Sequence, residues 1–401
     1  MLHDGGVRFA SLCLVGLLIA CDRGAAAPKP GPGSGSGLGS AARLGGGAGS
    51  DATPKNELPI KAAYLTYCAL CHGAEGKGYA ADHAPSLVNP TFLASASDDF
   101  LRRSIVFGRT GTAMAGYGKV IGGPLDDRTV QRMVGYLREL GGGIAEQPTL
   151  AVAAGNAAHG GVIYAASCLK CHGDPKTRGE ALHLANPQLL QLATDGFLRH
   201  AIVNGRPGTP MEPWKDKLSE ADIADVVAFV RDFAKQQVTV GQLPAPTGKE
   251  PIVINPKGGA PRFTLKEDRF LPAADVAAAL AKKQKLVIID ARSPSDWMKV
   301  HIPGAISVPY YDNGRLAEVP NDDTWVLAYC ACPHHASGEV VDALRKRGYK
   351  HTAVIDEGIL VWQQRGYPIV AAEGVTAPPA QGAPTGLMPP QATPDIAPSP
   401  K

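Results

Sequence analysis

The chain has 401 residues, too many for one ordinary core, and its length fits two to four domains. A formal net charge of +3 with no block of Lys or Arg gives no support to nucleic-acid binding. Gly (47) and Pro (34) are abundant, and much of the excess lies in stretches that read as linkers. Six of the eight cysteines form three close pairs, Cys68/Cys71, Cys168/Cys171 and Cys330/Cys332. Such pairing suggests ligation, cofactor attachment or redox chemistry rather than a dispersed disulfide framework.

Arg8 precedes an apolar stretch from Phe9 to Ala20 that is too short for a permanent membrane helix, which predicts an export signal over residues 1–20. The stretch ends Leu18-Ile19-Ala20-Cys21 and resembles the lipobox of bacterial lipoproteins. That resemblance implies a diacylated Cys21, attachment to a membrane through the lipid, and a place on the periplasmic side of a bacterial membrane. A plain signal peptide followed by a chance Cys is the alternative. Residues 21–56, almost wholly Gly, Ala, Ser and Pro, predict a flexible tether. Folded segments are expected at 57–140, 153–236 and 262–372. A linker over 237–261 precedes the third, and a disordered Pro-rich tail is expected over 373–401.

The first two segments are copies. Tyr67-Cys68-Ala69-Leu70-Cys71-His72-Gly73 returns as Ser167-Cys168-Leu169-Lys170-Cys171-His172-Gly173. The stretch Gly108 to Met114 returns as Gly205 to Met211, and Val134 to Arg138 as Val227 to Arg231. The offset falls from 100 at Cys68/Cys168 to 97 at Met114/Met211 and 93 at Val134/Val227, so the differences lie in loops. Each copy reads as helical. Ser219-Glu220-Ala221-Asp222 opens one helix with Ile223, Val226, Val227 and Val230 at helical spacing, and Asp126-Asp127 opens its counterpart.

On a helical turn, Cys68, Cys71 and His72 address one object, and C-x-x-C-H is the attachment signature of c-type haem. The thiols form thioethers with the vinyl groups, and the imidazole reaches the iron. Zinc is the competing reading, but zinc needs two such pairs close enough to share one ion. Met114 and Met211 recur at equivalent positions after Gly/Thr-rich turns and are the candidate sixth ligands; Met133 has no counterpart and reads as core. The two copies resemble class I cytochromes c, which implies two haem c groups, one ligated by His72 and Met114, the other by His172 and Met211. In that family a Pro carbonyl supports the proximal His. Pro85-Ser86-Leu87 matches the segment in the first copy, whereas Pro85 maps to Leu182 in the second. The support of His172 is therefore expected to be weaker and the two potentials to differ. The second copy is expected to sit nearer the third segment.

Residues 262–372 alternate short apolar runs (Leu286–Ile289, Ala305–Val308, Trp325–Tyr329, Ala353–Ile355) with helices near Pro294–Lys299 and Gly338–Arg347, which predicts a central parallel sheet with helices on both faces. Cys330 follows the run Trp325–Tyr329 and precedes a helix, a setting that favours a thiolate. A buried, inert Cys is the alternative. Asp290-Ala291-Arg292, His301-Ile302-Pro303-Gly304-Ala305, Tyr329-Cys330, Arg347-Gly348-Tyr349 and Glu357-Gly358 carry a resemblance to the rhodanese (sulfurtransferase) domain. The resemblance implies that Cys330 accepts sulfur. The loop from Cys330 to Ser337 departs from the family by lacking Arg and holding Cys332, His334 and His335. Cys332 can attack a persulfide on Cys330 or cap it as a disulfide. The loop's Cys and His residues also make a metal site conceivable.

The fold class expected is two all-α cytochrome c domains followed by an α/β rhodanese-like domain. The leading functional reading is a dihaem electron carrier with protein donors and acceptors, whose third domain binds a small sulfur compound or a partner. The alternatives are a sulfur-oxidising or sulfurtransferase enzyme acting through Cys330, and a thiol redox sensor.

Overall fold

A computed structural model describes residues 58–147, 151–236, 240–331, 334–382 and 385–387. The expected export signal, Cys21 and Cys332 lie outside the described residues. No described helix is long and apolar enough to cross a membrane.

The first copy comprises α1 (Ile60–Tyr67), α2 (Ala69–His72), α3 (Pro90–Ser95), α4 (Asp98–Phe107) and α5 (Asp127–Leu140). The second comprises α6 (Ala157–Ser167), α7 (Leu169–His172), α8 (Pro187–Leu192), α9 (Asp195–Asn204) and α10 (Glu220–Asp232), with a two-residue strand β1 (Thr177–Arg178). Helix starts are set by repeated caps. Asn89 and Asn186 cap α3 and α8, Ser97 and Thr194 cap α4 and α9, and Asp126 and Ser219 cap α5 and α10. The expected acidic turn at Ser219 is a full capping box with Asp222.

One arginine in each copy ties these helices together. Arg138 donates to Asp98 (3.0 and 2.8 Å) and to the carbonyls of Leu93 (2.5 Å) and Ala96 (2.6 Å). Arg231 does the same with Asp195, Leu190 and Ala193. Met133 is fully buried in the core, as expected.

The two copies share one apolar cluster. Phe100 stacks on Phe197 with centroids 4.8 Å apart, and Phe92 meets both rings edge-on. Such pairs contribute about 0.5–1.5 kcal/mol beyond the area they bury.

The third segment holds a five-stranded parallel sheet: β2 (Phe270–Leu271), β3 (Val287–Asp290), β5 (Ile306–Ser307), β6 (Val326–Tyr329) and β7 (Thr352–Ile355), in the order β2-β7-β6-β3-β5. Helices α11 (Ala273–Ala281), α12 (Pro294–Trp297), α13 (His335–Lys346) and α14 (Gly358–Gln364) complete it, and β4 (Val300–His301) pairs antiparallel with β8 (Val370–Ala371). The three long strands are buried throughout, as a sheet covered on both faces requires. Helix α13 begins three residues before the expected start near Gly338, with Gly338 N–H closing the first bond to the His334 carbonyl (3.0 Å).

Within this sheet the motif Asp290-Ala291-Arg292 is structural. Arg292 bonds Asp290 (2.7 and 2.9 Å) and the Val300 carbonyl (2.6 Å), while Tyr329 donates to Asp290 (2.8 Å). His301 stacks on Trp297, whose indole N–H donates to the Ala305 carbonyl (3.0 Å).

Two stretches expected to lack structure run along folded domains. In the 237–261 linker, Ile252, Val253 and Ile254 pack into the third domain's core. In the tail, β9 (Ala380–Gln381) pairs in parallel with β1 of the second copy, and Thr385 bonds Glu180. Extended Gly/Pro-rich chain keeps most of its backbone groups unpaired, so a short edge can still recruit it.

Candidate functional site

Each Cys-Cys-His motif is held by one tight turn. Helix α1 ends at Tyr67, and the Cys68 carbonyl accepts from Cys71 N–H (3.2 Å) and His72 N–H (3.0 Å). The Cys168 carbonyl accepts from Cys171 and His172 at 3.1 and 3.0 Å. Tyr64 and Tyr164 brace the turns by donating to the carbonyls of Gly73 (2.7 Å) and Gly173 (2.6 Å). Burial pushes the Cys68 thiol up to about 12 and, with Cys171 beside it, Cys168 up to about 11. Cys71 is also raised, by burial first and then by Asp82 and Cys330.

His72 Nδ1 lies 2.8 Å from the Pro85 carbonyl. A carbonyl only accepts, so Nδ1 carries the proton and Nε2 keeps its lone pair for a metal. Burial lowers the pKa of His72 and of His172, outweighing the carbonyl bond that raises each, and so favours the neutral ring that ligates metals.

The second copy does not lose this support. His172 Nδ1 lies 2.8 Å from the Leu182 carbonyl. The bond uses a main-chain oxygen, which every residue carries, so the Pro ring is dispensable.

The methionine loops superpose bond for bond. Arg109 N–H donates to the Met114 carbonyl (2.8 Å), and Met114 N–H donates to Thr112 Oγ1 (3.1 Å). Arg206, Met211 and Thr209 repeat this at 2.7 and 3.1 Å. Gly108 and Gly205 open the loops at φ 64° and 61°, where a Cβ would come within 2.5 Å of the Met114 or Met211 carbonyl. Only glycine fits.

The donor set separates haem from zinc. Among the described residues, the one group of His, Cys and carboxylate atoms near enough to share a small ion is His159, Asp222 and Asp225. It is accounted for by capping, since Asp225 accepts from Asn156 N–H (2.5 Å) and pairs with His159 (2.8 Å). The Cys68/Cys71/His72 and Cys168/Cys171/His172 donors are not gathered in this way. They suit a macrocycle gripped at its edge and ligated at its centre, with the His Nε2 atoms available to iron.

Cys330 stands at the carboxyl end of the central strand β6, where open parallel sheets place their ligands. It is 2% exposed, and its Sγ lies 3.3 Å from Ser337 Oγ. His334 sits at φ 89° and reaches Asp356 (2.5 Å). His335 lies 3.6 Å from Asp82, a residue of the first helical copy. Burial alone would lower the pKa of His335, but the bond to Asp82, the charge of Asp82 and Cys330 raise it overall.

The Cys330 loop therefore faces the first copy, not the second as chain order suggests. Further contacts join the third domain to the first copy. Tyr310 donates to the Tyr67 carbonyl beside Cys68 (3.2 Å), Tyr311 packs edge-on against Tyr67 (5.0 Å), and Ser293 and Ser295 donate to the Gly116 carbonyl (3.2 and 2.5 Å). The sequence reading missed Asp82, Tyr310, Ser293 and Ser295. No local pattern marks a contact between segments so far apart in the chain.

Residues 56–137 and 155–230 match the family model for cytochrome C oxidase, cbb3-type, subunit III, and residues 273–365 match that for the rhodanese-like domain. The chain carries cytochrome c domains followed by a rhodanese-like domain. Over 184 residues (41% of the chain) it is 27% identical to the cbb3-type cytochrome c oxidase subunit CcoP of Azospirillum sp. (strain B510), covering 58% of that protein. Over 105 residues (26% of the chain) it is 29% identical to a sulfurtransferase of Allochromatium vinosum, covering 96% of that protein. Over 88 residues (21% of the chain) it is 36% identical to the probable adenylyltransferase/sulfurtransferase MoeZ of Mycobacterium tuberculosis, covering 22% of it. The chain spans 57% to 59% of the length of three cbb3-type relatives it matches.

Proposed function

We propose that this protein is a dihaem c-type electron carrier that works outside the cytoplasm, anchored through Cys21. One haem c is attached at Cys68 and Cys71 and ligated by His72 and Met114. The other is attached at Cys168 and Cys171 and ligated by His172 and Met211. Bound haem supplies a one-electron couple; the chain's residues orient each imidazole through Nδ1 and hold each methionine loop. The carrying observation is the bond-for-bond repetition of the His-to-carbonyl link and the methionine loop. A pyridine-haemochrome spectrum with intact mass measurement tests it, and a count other than two haems per chain refutes it.

The ion pair between His335 and Asp82 favours a second reading, in which the rhodanese-like domain acts and does not merely bind. Cys330 would carry sulfane sulfur as a persulfide; attack of water on that sulfur would release sulfite, protons and the Cys330 thiol, and haem held at Cys68, Cys71 and His72 would be the one-electron acceptor that takes the electrons singly. The loop holds no Arg, and its His335 faces Asp82, so a dianion such as thiosulfate has no guanidinium partner there. A less charged sulfane-sulfur donor fits better. Full-length holoprotein treated with a persulfide donor should show haem reduction that Cys330→Ser abolishes. Reduction at equal rate in the variant sinks this reading and leaves the carrier reading standing.

A further inference from the structure

The two helical domains meet across a pseudo-twofold interface built from equivalent residues. Asn89 Nδ2 donates to the carbonyl of Pro207 in the second domain's methionine loop (2.9 Å). Asn186, its counterpart at the offset of 97, donates from Nδ2 to the carbonyl of Thr110 in the first domain's loop (3.0 Å). Thr110 and Pro207 are themselves equivalent positions. Two further equivalent residues reinforce the exchange. The Thr91 hydroxyl reaches the Gly205 carbonyl (2.7 Å), and Gln188 Nε2 reaches Thr110 Oγ1 (3.1 Å).

Both asparagines are buried, at 6% and 4% exposure, and each uses its two amide atoms for different tasks. The oxygen caps its own helix, accepting from Phe92 N–H (3.3 Å) for Asn89 and from Leu189 N–H (3.1 Å) for Asn186. The nitrogen crosses to the other domain. Capping needs only an oxygen, which Ser, Thr and Asp also supply. The long amide donor is what the crossing requires.

Each loop so held leads within four residues to Met114 or Met211 and is closed by the Arg109 or Arg206 bond to the methionine carbonyl. The arginine side chains lie over the shared aromatic stack, Arg109 over Phe100 (5.6 Å) and Arg206 over Phe197 (5.7 Å). A displacement of one domain is thus carried to the other domain's loop through directly bonded groups, starting from a buried asparagine.

We propose that Asn89 and Asn186 are reciprocal positioning residues, each holding in place the methionine loop of the other haem domain. The sixth ligand of each iron then depends on its neighbouring domain. The inference rests on Met114 and Met211 being axial ligands.

The test uses full-length holoprotein and two readouts, the far-red band of methionine-ligated ferric haem and the two midpoints of a potentiometric titration. Met114→Ala and Met211→Ala assign each share of the band and each midpoint to one iron. Asn89→Ser and Asn89→Asp both keep the cap of α3 and remove the crossing donor, and agreement between them separates the lost bond from an added charge. Both should weaken the share assigned to Met211 by about half or more and shift that midpoint, leaving the Met114 share unchanged. Asn186→Ser should do the reverse. A change confined to the variant's own domain, or no change in either, overturns the inference. If Met114→Ala and Met211→Ala leave the band intact, the ligand assignment itself fails, an outcome distinct from failure of the crossing.

Discussion

The first and second helical domains repeat the proximal-His bond and the methionine-loop bonds, yet they stand in different surroundings. The Cys68 motif lies under Tyr310 and Tyr311 of the rhodanese-like domain and beside the His335–Asp82 pair, whereas the second domain pairs, among the described residues, with the tail that follows that domain. The expected difference, loss of the proximal carbonyl at Leu182, is absent, because a backbone oxygen does the work at both sites. Two sites alike in their inner bonds are therefore distinguished by what covers them. Exclusion of water and nearby charge tune a redox centre as surely as its ligands do.

The largest expected effect tests the likeness. Arg138→Met removes charge-assisted bonds to the carbonyls of Leu93, Ala96 and Ile144, and Arg231→Met removes those to Leu190 and Ala193. Each should destabilise its domain by about 3 kcal/mol in chemical denaturation, since such bonds are worth roughly 1.5–3 kcal/mol apiece. Strongly unequal losses would show that the two copies differ inside as well as outside.

Next come the loop glycines. Gly108→Ala and Gly205→Ala place a methyl group against a backbone carbonyl at positive φ. Each should cost roughly 1–3 kcal/mol and remove its own share of the far-red band. Retention of the full band in either variant would show that the loop relaxes without disturbing Met114 or Met211.

A pH effect should appear at the junction of the first and third domains. The folded-state pKa of His335 is raised, so the contribution of its pair with Asp82 is complete below the usual histidine value of about 6.5 and fades as pH rises through the raised value. Protease sensitivity of the junction between the first and third domains should therefore increase with rising pH. His335→Gln should flatten that profile, and an unchanged profile in the variant would remove the pair from the account.

The smallest effect is expected where the sequence differs most visibly. Pro85→Ala keeps the carbonyl that holds His72, so stability should change by no more than about 0.5 kcal/mol and the first midpoint should stay in place. A large shift would return importance to the Pro ring and restore the asymmetry that Leu182 suggests.

The amino-acid sequence alone determined the two attachment turns, the recurring Met114 and Met211, the capped helices and the parallel sheet that presents Cys330. Each is written within a few residues, as helical spacing, a capping side chain or an apolar run ahead of a loop, so local chemistry suffices to read it. Only the tertiary structure decided that the Leu182 carbonyl replaces that of Pro85, that Asp82 meets His335, that Asn89 and Asn186 cross between domains, and that part of the Pro-rich tail pairs with β1. Those contacts join groups far apart in the chain, through backbone oxygens common to every residue or polar side chains common on any surface. Their meaning lies in position, which packing of the domains sets.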